Sequence, residues 1–139
     1  MLNHIKGGYG DMKLKKIHHI AVICSDYQKS KDFYIRILGL TPVCEVYRED
    51  RDSYKLDLEV GGHYQIELFS FPNPPARPSY PEAAGLRHIA FEVDNIEEAV
   101  KELENHHITA EAIRVDPITS KKFTFFTDPD GLPIELYER

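Results

Sequence analysis

Two histidines and two glutamates recur in the sequence in the same order and at nearly the same spacing. His19 follows the start of the motif HHIAVI and His88 lies in RHIAFEV, while Glu67 and Glu135 each belong to an IEL motif that ends its half of the chain. Two imidazole nitrogens and two carboxylate oxygens suit a divalent transition metal and leave two octahedral positions open. Because catalysis on a metal requires open positions, the four residues predict a metalloenzyme site.

The alternation of side chains along a strand predicts that these four residues share one kind of face. In the first strand Ile20, Val22 and Cys24 form the apolar face, which leaves His19 on the opposite face. The same parity separates the other three residues from their apolar neighbours. Imidazoles and carboxylates that converge in a semi-apolar cavity are costly without a compensating cation. We therefore expect them on the inner face of a curled sheet, around a metal.

The chain divides into two halves that resemble each other. Each half has the pattern of a strand, a helix and three more strands, and this repetition indicates an internal duplication. We predict a single α+β domain at residues 15–139, in which two β-α-β-β-β modules form a curled, cup-shaped mixed sheet with the helices outside. An N-terminal extension is expected at 1–14. The domain is expected to consist of a module at about 15–71, a Pro-rich linker at 72–85 and a module at about 86–139. The linker connects the two modules and could also cover the site.

Local signals predict one helix in each module. Asn95 and Glu98 have the spacing of a capping box and are followed by an apolar helix face. In the first half Ser25 or Asp26 can cap a helix. The residues expected on the buried side of that helix are Phe33, Tyr34, Ile37 and Leu38.

The composition excludes several classes of function. The chain has 139 residues and a net charge of −6, with its basic residues interleaved with acidic ones, which argues against a nucleic-acid partner. No apolar stretch is long enough to cross a bilayer and the first dozen residues lack a signal-peptide pattern, so we expect a cytoplasmic protein without a membrane partner. Cys24 and Cys44 have apolar neighbours and are predicted to be buried and reduced.

At these motifs the chain resembles the vicinal oxygen chelate superfamily, and most closely its glyoxalase I (lactoylglutathione lyase-like) branch. The matching elements occur in order over about residues 15–139: HHIAV, IELF, RHIAF and DPDGLPIELYE. The resemblance implies paired modules that form a cup around one divalent metal per site, with nickel, cobalt or zinc expected first and iron or manganese next. It also implies a homodimer, in which a cup belongs to one chain or is built from two.

The resemblance further implies the ligands and the reaction. In the family the ligands come from the first and last strands of each module, which are His19, Glu67, His88 and Glu135 here. Four-ligand members are lyases and isomerases that transfer a proton next to a carbonyl group of a small, metal-chelated, α-oxygenated substrate. Glu135 is the implied base and Glu67 the group at the second proton position. The alternatives are an acyl-CoA epimerase and a cup that binds a small ligand or a metal without turnover.

Two departures from the glyoxalase I pattern concern the substrate. Members that use glutathione carry an arginine four residues after the first ligand and an asparagine four residues after the second. This chain has Ile23 and Phe71 at those positions. Because both family residues help to hold the γ-glutamyl end of glutathione, the substitutions argue against glutathione as the co-substrate.

Five further residues are candidates for contact with the substrate. Arg48 and Arg51 lie in the charged segment EVYREDRDSYK and could bind a carboxylate or phosphate at the rim of the cup, or belong to a solvated loop. Three aromatic side chains could form the walls of the pocket or simply fill the core: Phe69, Phe71 and Tyr137.

Overall fold

The first module folds as a sheet with one helix. The computed structural model describes residue 5, residues 7–8 and residues 10–139, so the predicted extension at 1–14 lies partly outside the described residues. The elements of this module are β1 (Ile20–Cys24), α1 (Tyr27–Asp32) with a π-helical turn after it (Phe33–Ile37), β2 (Thr41–Arg48), a 3-10 turn (Glu49–Arg51), β3 (Ser53–Val60) and β4 (His63–Ser70).

The second module repeats this order. Its elements are β5 (Ile89–Val93), α2 (Ile96–Asn105), β6 (Arg114–Val115), β7 (Lys122–Thr127) and β8 (Pro133–Glu138). The Pro-rich stretch between Ser70 and Ile89 contains neither helix nor strand. The predicted fold class, an α+β chain of two β-α-β-β-β modules, is confirmed.

Each module forms its own four-stranded mixed sheet, and the two sheets have the same topology. The strand orders are β1-β4-β3-β2 and β5-β8-β7-β6, with the first pair of each sheet parallel and the other neighbours antiparallel. In this register Ala21 pairs with Glu67, and Ala90 pairs with Glu135. The strand that begins just after each predicted histidine therefore lies directly beside the strand that carries a predicted glutamate.

The helices begin where the sequence predicts their caps. The side chains of Asp26 and Asn95 each accept a hydrogen bond from the backbone N–H three residues later. In the first module the α-helix ends at Asp32, and the N–H of Leu38 donates to the carbonyl of Phe33, five residues earlier, at 3.0 Å. This π-helical turn was not predicted. None of the helices in the described part of the chain has the length and apolar character that a membrane crossing requires.

Hydrogen bonds at the turn between β7 and β8 join the two modules. The Tyr34 hydroxyl donates to the buried carboxylate of Asp128 at 2.7 Å, and the Ser25 N–H donates to Asp130 at 3.0 Å. Asp128 also accepts the backbone N–H groups of Asp130 and Leu132. Burial raises the pKa of Asp128, and its hydrogen bonds oppose part of that shift. The modules therefore share a buried polar contact in addition to apolar packing.

One cysteine differs from the sequence expectation. Cys24 is buried, and desolvation raises the pKa of its thiol to about 11. Cys44 is exposed, so the prediction that it is buried is wrong. The reason is its position in β2, an edge strand on which nearly every side chain is exposed. Apolar neighbours in the sequence bury a cysteine only where another layer of the chain covers the strand.

Candidate metal centre

His19 and Glu67 form the first predicted ligand pair. His19 immediately precedes β1, and Glu67 lies on the adjacent strand β4. Nε2 of His19 is 3.4 Å from Oε2 of Glu67, and the two side chains are 38% and 10% exposed. This separation is longer than an ordinary hydrogen bond, so the nitrogen and the oxygen lie side by side without a close hydrogen bond between them. Ligands of one metal ion are arranged in this way.

His88 and Glu135 form an equivalent pair in the second module. Nε2 of His88 is 3.3 Å from Oε1 of Glu135, and the side chains are 26% and 15% exposed. Nδ1 of His88 is buried and has no hydrogen-bond partner among the described residues. The ring of Phe125 packs edge-on against the imidazole, with 5.1 Å between the ring centres. The second module therefore repeats the geometry of the first pair.

Within one chain the two pairs do not come together. Among the residues that the structure describes, no group of three or more His, Cys, Asp or Glu side chains is close enough to hold one metal ion. The predicted set is instead divided between the first half-site, His19 with Glu67, and the second half-site, His88 with Glu135. Each half-site offers one nitrogen and one oxygen.

Tyr64, which was not among the predicted site residues, contacts the first half-site. The Tyr64 hydroxyl donates a hydrogen bond to Glu67, and its ring stacks on His19 with 5.8 Å between ring centres. Desolvation and the hydrogen bond to Glu67 raise the pKa of Tyr64. Gln65 has no pairing partner on β3 and forms a β-bulge in β4. Because of this bulge, the side chain of Tyr64 reaches Glu67. The letters HYQIELF alternate regularly, so no sequence signal reveals the bulge.

Two charged residues of β3 complete the surroundings of Glu67. Asp57 lies opposite Glu67 in the sheet register. Nζ of Lys55 is 2.6 Å from the Asp57 carboxylate and 3.7 Å from the Glu67 carboxylate. The hydrogen bond to Asp57, with the charge of Glu67, raises the pKa of Lys55. This ammonium therefore compensates part of the negative charge at the first half-site.

Three of the five predicted substrate contacts form one cluster. The guanidinium carbon of Arg48 lies 4.9 Å from the ring centre of Phe69 and 5.6 Å from that of Phe71. Arg51 lies apart from them, exposed in the 3-10 turn. Tyr137 is on β8 in the second module, where its hydroxyl donates to an aspartate just after β6 at 2.9 Å. The structure thus brings together the arginine and the aromatic residues of the first module only.

A cavity of about 360 Å³ adjoins the second half-site. His88 and Phe125 form part of its wall, together with linker residues that include Arg77 and Tyr80. Arg77 is held in the linker by hydrogen bonds to the carbonyls of Leu86 and Arg87, at 2.7 and 2.9 Å. The Pro-rich linker therefore lies over one side of the second half-site.

The sequence of this chain matches the model of a known protein family. The family model of the Glyoxalase/Bleomycin resistance protein/Dioxygenase superfamily matches residues 16–136. The chain belongs to this superfamily. The predicted resemblance is therefore confirmed. Superfamily members typically bind a divalent metal and commonly act as dimers that bind small molecules.

Several proteins and solved structures are similar to this superfamily member. YaeR of Escherichia coli (strain K12), a protein of uncharacterized function, is 64% identical over 126 residues, which cover 91% of this chain and 98% of YaeR. The crystal structure of a glyoxalase family protein from Enterococcus faecalis is 50% identical and has a TM-score of 0.83, over 91% of this chain and 100% of that chain. The trypanothione-dependent glyoxalase I of Leishmania major has the same fold at 22% identity, with a TM-score of 0.69, over 90% of this chain and 87% of that chain.

The half-sites of this superfamily member fit a divalent metal ion chemically. Each combines an imidazole with a carboxylate, and together they give the nitrogen and oxygen donors that suit zinc and its neighbours in the transition series. The Glu67 and Glu135 side chains are only 10% and 15% exposed. A dication would compensate the charge of these largely buried carboxylates.

Proposed function

We propose that this protein is a metal-dependent lyase or isomerase of the glyoxalase I type, which transfers a proton next to a carbonyl group of a small α-oxygenated substrate. The observation that carries the proposal is one His–Glu pair repeated at the same place in both sheets, His19 with Glu67 and His88 with Glu135. The superfamily includes metal-dependent glyoxalase I and fosfomycin-modifying enzymes, which supports an enzymatic role.

The complete ligand set would form between two copies of the chain. A four-ligand site needs the first half-site of one chain and the second half-site of another, because a single chain keeps them apart. Exposed apolar side chains on the sheet face of the first half-site favour a covering partner, since Ile23 is 54% exposed and Val46 is 45% exposed. A homodimer of this kind would hold one ion per site, with nickel, cobalt or zinc expected first and iron or manganese as alternatives.

The two glutamates would have different tasks. When bound, the ion would polarise the substrate carbonyl and so acidify the neighbouring C–H group. Glu135 would accept that proton, because none of the described residues donates a hydrogen bond that restrains its carboxylate. Glu67 would serve the second proton position, with its carboxylate held by the hydroxyl of Tyr64.

The surroundings favour a small substrate over a glutathione adduct. Ile23 and Phe71, which replace the polar residues expected in glutathione-dependent enzymes, offer no hydrogen bond to a γ-glutamyl group. Phe69 and Tyr137 lie on the strands that carry the two glutamates, and Phe71 follows directly after the first of these strands. The three side chains would wall the pocket.

Proton exchange followed by NMR tests the proposed reaction. Protein loaded with nickel, cobalt or zinc is incubated in D₂O with a series of small α-hydroxycarbonyl compounds. We expect deuterium to enter at the carbon next to the carbonyl, and exchange to stop on chelation. Glu135→Gln should bind metal and fail to exchange. Stable metal binding without exchange on any compound would instead indicate a cup without turnover.

Mixing of two inactive variants tests the shared site. One chain carries His19→Ala with Glu67→Gln, and the other carries His88→Ala with Glu135→Gln. If sites form between chains, a mixed dimer contains one intact site, and random mixing restores about a quarter of the wild-type metal sites. If each chain builds its own site, mixing restores none.

A further inference from the structure

An arginine on the face of the first half-site is packed against two aromatic rings. Arg48 ends β2 and pairs with Ser53 at the start of β3. Its guanidinium lies over Phe69 and Phe71, whose rings stack on each other with 6.0 Å between their centres. Contact with the ring faces fixes the position of the guanidinium and leaves its edge available for hydrogen bonds.

Arg48 uses little of its hydrogen-bonding capacity within the described part of the chain. Its Nη2 donates to Oγ of Ser53 at 2.9 Å, whereas its buried Nε has no hydrogen-bond partner among the described residues. None of the ion pairs found among the described residues includes Arg48. A partly buried cation without a counter-charge costs free energy, because water no longer solvates it fully. An anion at the free edge of the guanidinium would compensate this charge.

Two other cations on the sheet faces already have acidic neighbours. Arg114 lies over a pair of phenylalanine rings in the second module, 4.9 Å from the nearer ring centre, and Glu111 is 3.5 Å from its guanidinium. Lys55, on the same face as Arg48, lies between the carboxylates of Asp57 and Glu67. Of these three cations, Arg48 alone has no acidic neighbour within ion-pair distance among the described residues.

The position of Arg48 connects it to the first half-site. Alternate residues of a strand share one face, which places Phe69 of β4 in line with Glu67, and Phe71 follows just after the end of this strand. Two residues along a strand span about 7 Å. The guanidinium of Arg48 contacts Phe69, two residues from Glu67, so a molecule bound to Arg48 would have to extend along β4 to reach Glu67.

We propose that Arg48 binds the anionic end of the substrate, so that the substrate is a small α-oxygenated carbonyl compound that also carries a carboxylate or phosphate group. The identity of the reacting group at the other end of this molecule rests on the proposed function. Binding of the anion requires neither metal nor a second copy, because Arg48, Ser53, Phe69 and Phe71 belong to one module. Carboxylate and phosphate both match the edge of a guanidinium with paired hydrogen bonds.

Titration calorimetry of the metal-free full-length chain tests this assignment. Inorganic phosphate and succinate are titrated separately, and the tighter ligand identifies the anionic group. We expect Arg48→Gln to weaken binding at least about tenfold. Arg48→Lys keeps the charge but loses the paired hydrogen bonds, so its affinity should fall between those of Arg48→Gln and the wild type. Arg114→Gln, which removes the other arginine stacked on phenylalanine rings, is the matched control and should bind as the wild type does.

Three results would overturn the assignment: wild-type protein that binds neither anion, Arg48→Gln with wild-type affinity, or equal losses in Arg48→Gln and Arg114→Gln. Metal content is measured in parallel and tests the proposed function separately. A chain that binds phosphate through Arg48 but takes up no metal would contradict the metalloenzyme and leave the anion site standing. A chain that takes up metal but binds neither anion would contradict the anion site and leave the metalloenzyme standing.

Discussion

The two half-sites repeat the same pair of side chains in different surroundings. In the first, the hydroxyl of Tyr64 donates to Glu67 and the ammonium of Lys55 is 3.7 Å away. In the second, Glu135 lies opposite Phe125 in the sheet register, and the same ring packs edge-on against the histidine. The first half-site is thus embedded among polar and charged groups, and the second lies against aromatic rings.

This difference separates a carboxylate that accepts a hydrogen bond from one that accepts none among the described residues. A carboxylate that accepts a hydrogen bond and faces an ammonium is stabilised in its charged form and in its position. A carboxylate without these contacts can leave its place and take up a proton at lower cost. We therefore infer unequal roles for Glu67 and Glu135, although the IEL motif around each is the same.

Removal of a histidine has the largest expected effect and should disable either half-site equally. We expect His19→Ala and His88→Ala each to lose nearly all bound metal and to lower proton exchange by about a thousandfold or more. Metal analysis after dialysis, with exchange measured in parallel, tests this expectation. His63→Ala, at the exposed start of β4, is the control and should retain both properties. Normal metal content in either ligand variant would remove that half-site from the metal centre.

Exchange of the glutamates for glutamine tests the inequality directly. Glu135→Gln should lower kcat by about 10²–10⁴-fold, the usual contribution of a general base. Glu67→Gln should lower kcat less and weaken metal binding more, because its carboxylate is the restrained one. Parallel measurements of kcat and of the metal Kd distinguish the two roles. Equal losses of kcat would mean that the different surroundings of the two glutamates do not give them different roles.

Loss of the tyrosine hydroxyl should make the two half-sites more alike. Tyr64→Phe keeps the ring that stacks on His19 and removes the hydrogen bond to Glu67. We expect metal affinity to fall about tenfold, as is typical when a group that orients a ligand is removed. Tyr47→Phe, on the exposed strand β2, is the control. Unchanged affinity in Tyr64→Phe would mean that the tyrosine only packs against the site.

The helix caps provide a comparison of stability between the modules. Asp26→Ala and Asn95→Ala each remove a side chain that caps a helix, so each should lower the free energy of unfolding by about 1 kcal/mol. Because the modules share the Tyr34–Asp128 hydrogen bond and a common core, chemical denaturation should show one transition in both variants. Two separate transitions would mean that the modules unfold independently.

The contact between the modules should give the smallest effect, a change in the pH dependence of stability. Burial raises the pKa of Asp128 in the folded chain, so this carboxyl group favours folding when protonated. Its contribution is lost as the pH rises through the folded-state pKa. Asp128→Asn removes that loss, so the stability of the variant relative to the wild type should increase from pH 3 to pH 7. The hydrogen bonds from Tyr34 and the backbone oppose the shift and keep the effect small.

Thermal unfolding of both proteins across this pH range provides the measurement. The difference between the two melting temperatures isolates the contribution of Asp128 from those of other titrating groups. A constant difference would mean that Asp128 is equally charged in the folded and unfolded chain.

The repeated elements could be predicted because each depends on local patterns. Alternation of apolar residues identified the strands that carry Glu67 and Glu135, and the Asn95 cap identified the start of the second helix. The side chain of Cys44 was misplaced because alternation shows which face is apolar but not whether another layer covers it. Exposure of an edge strand depends on the tertiary arrangement.

The contacts of the candidate site were harder to predict because they depend on backbone irregularity and on distance in the fold. Tyr64 reaches Glu67 only through the bulge at Gln65, and a regular strand would direct their side chains to opposite faces. The distribution of ligands over two half-sites depends on how the sheets lie in space. The spacing along the chain predicted which residues belong to each half-site. It did not predict that the two half-sites lie apart within one chain.

The bulge at Gln65 also bears on how a duplicated protein acquires specialised parts. The two modules keep identical ligand types, yet one residue without a ladder partner brings a tyrosine to one glutamate and not to its counterpart. Divergence of this kind requires no substitution at a ligand position. Deletion of Gln65 would restore the regular ladder and turn Tyr64 away from Glu67, so a change of length by one residue would remove one of the differences between the two copies.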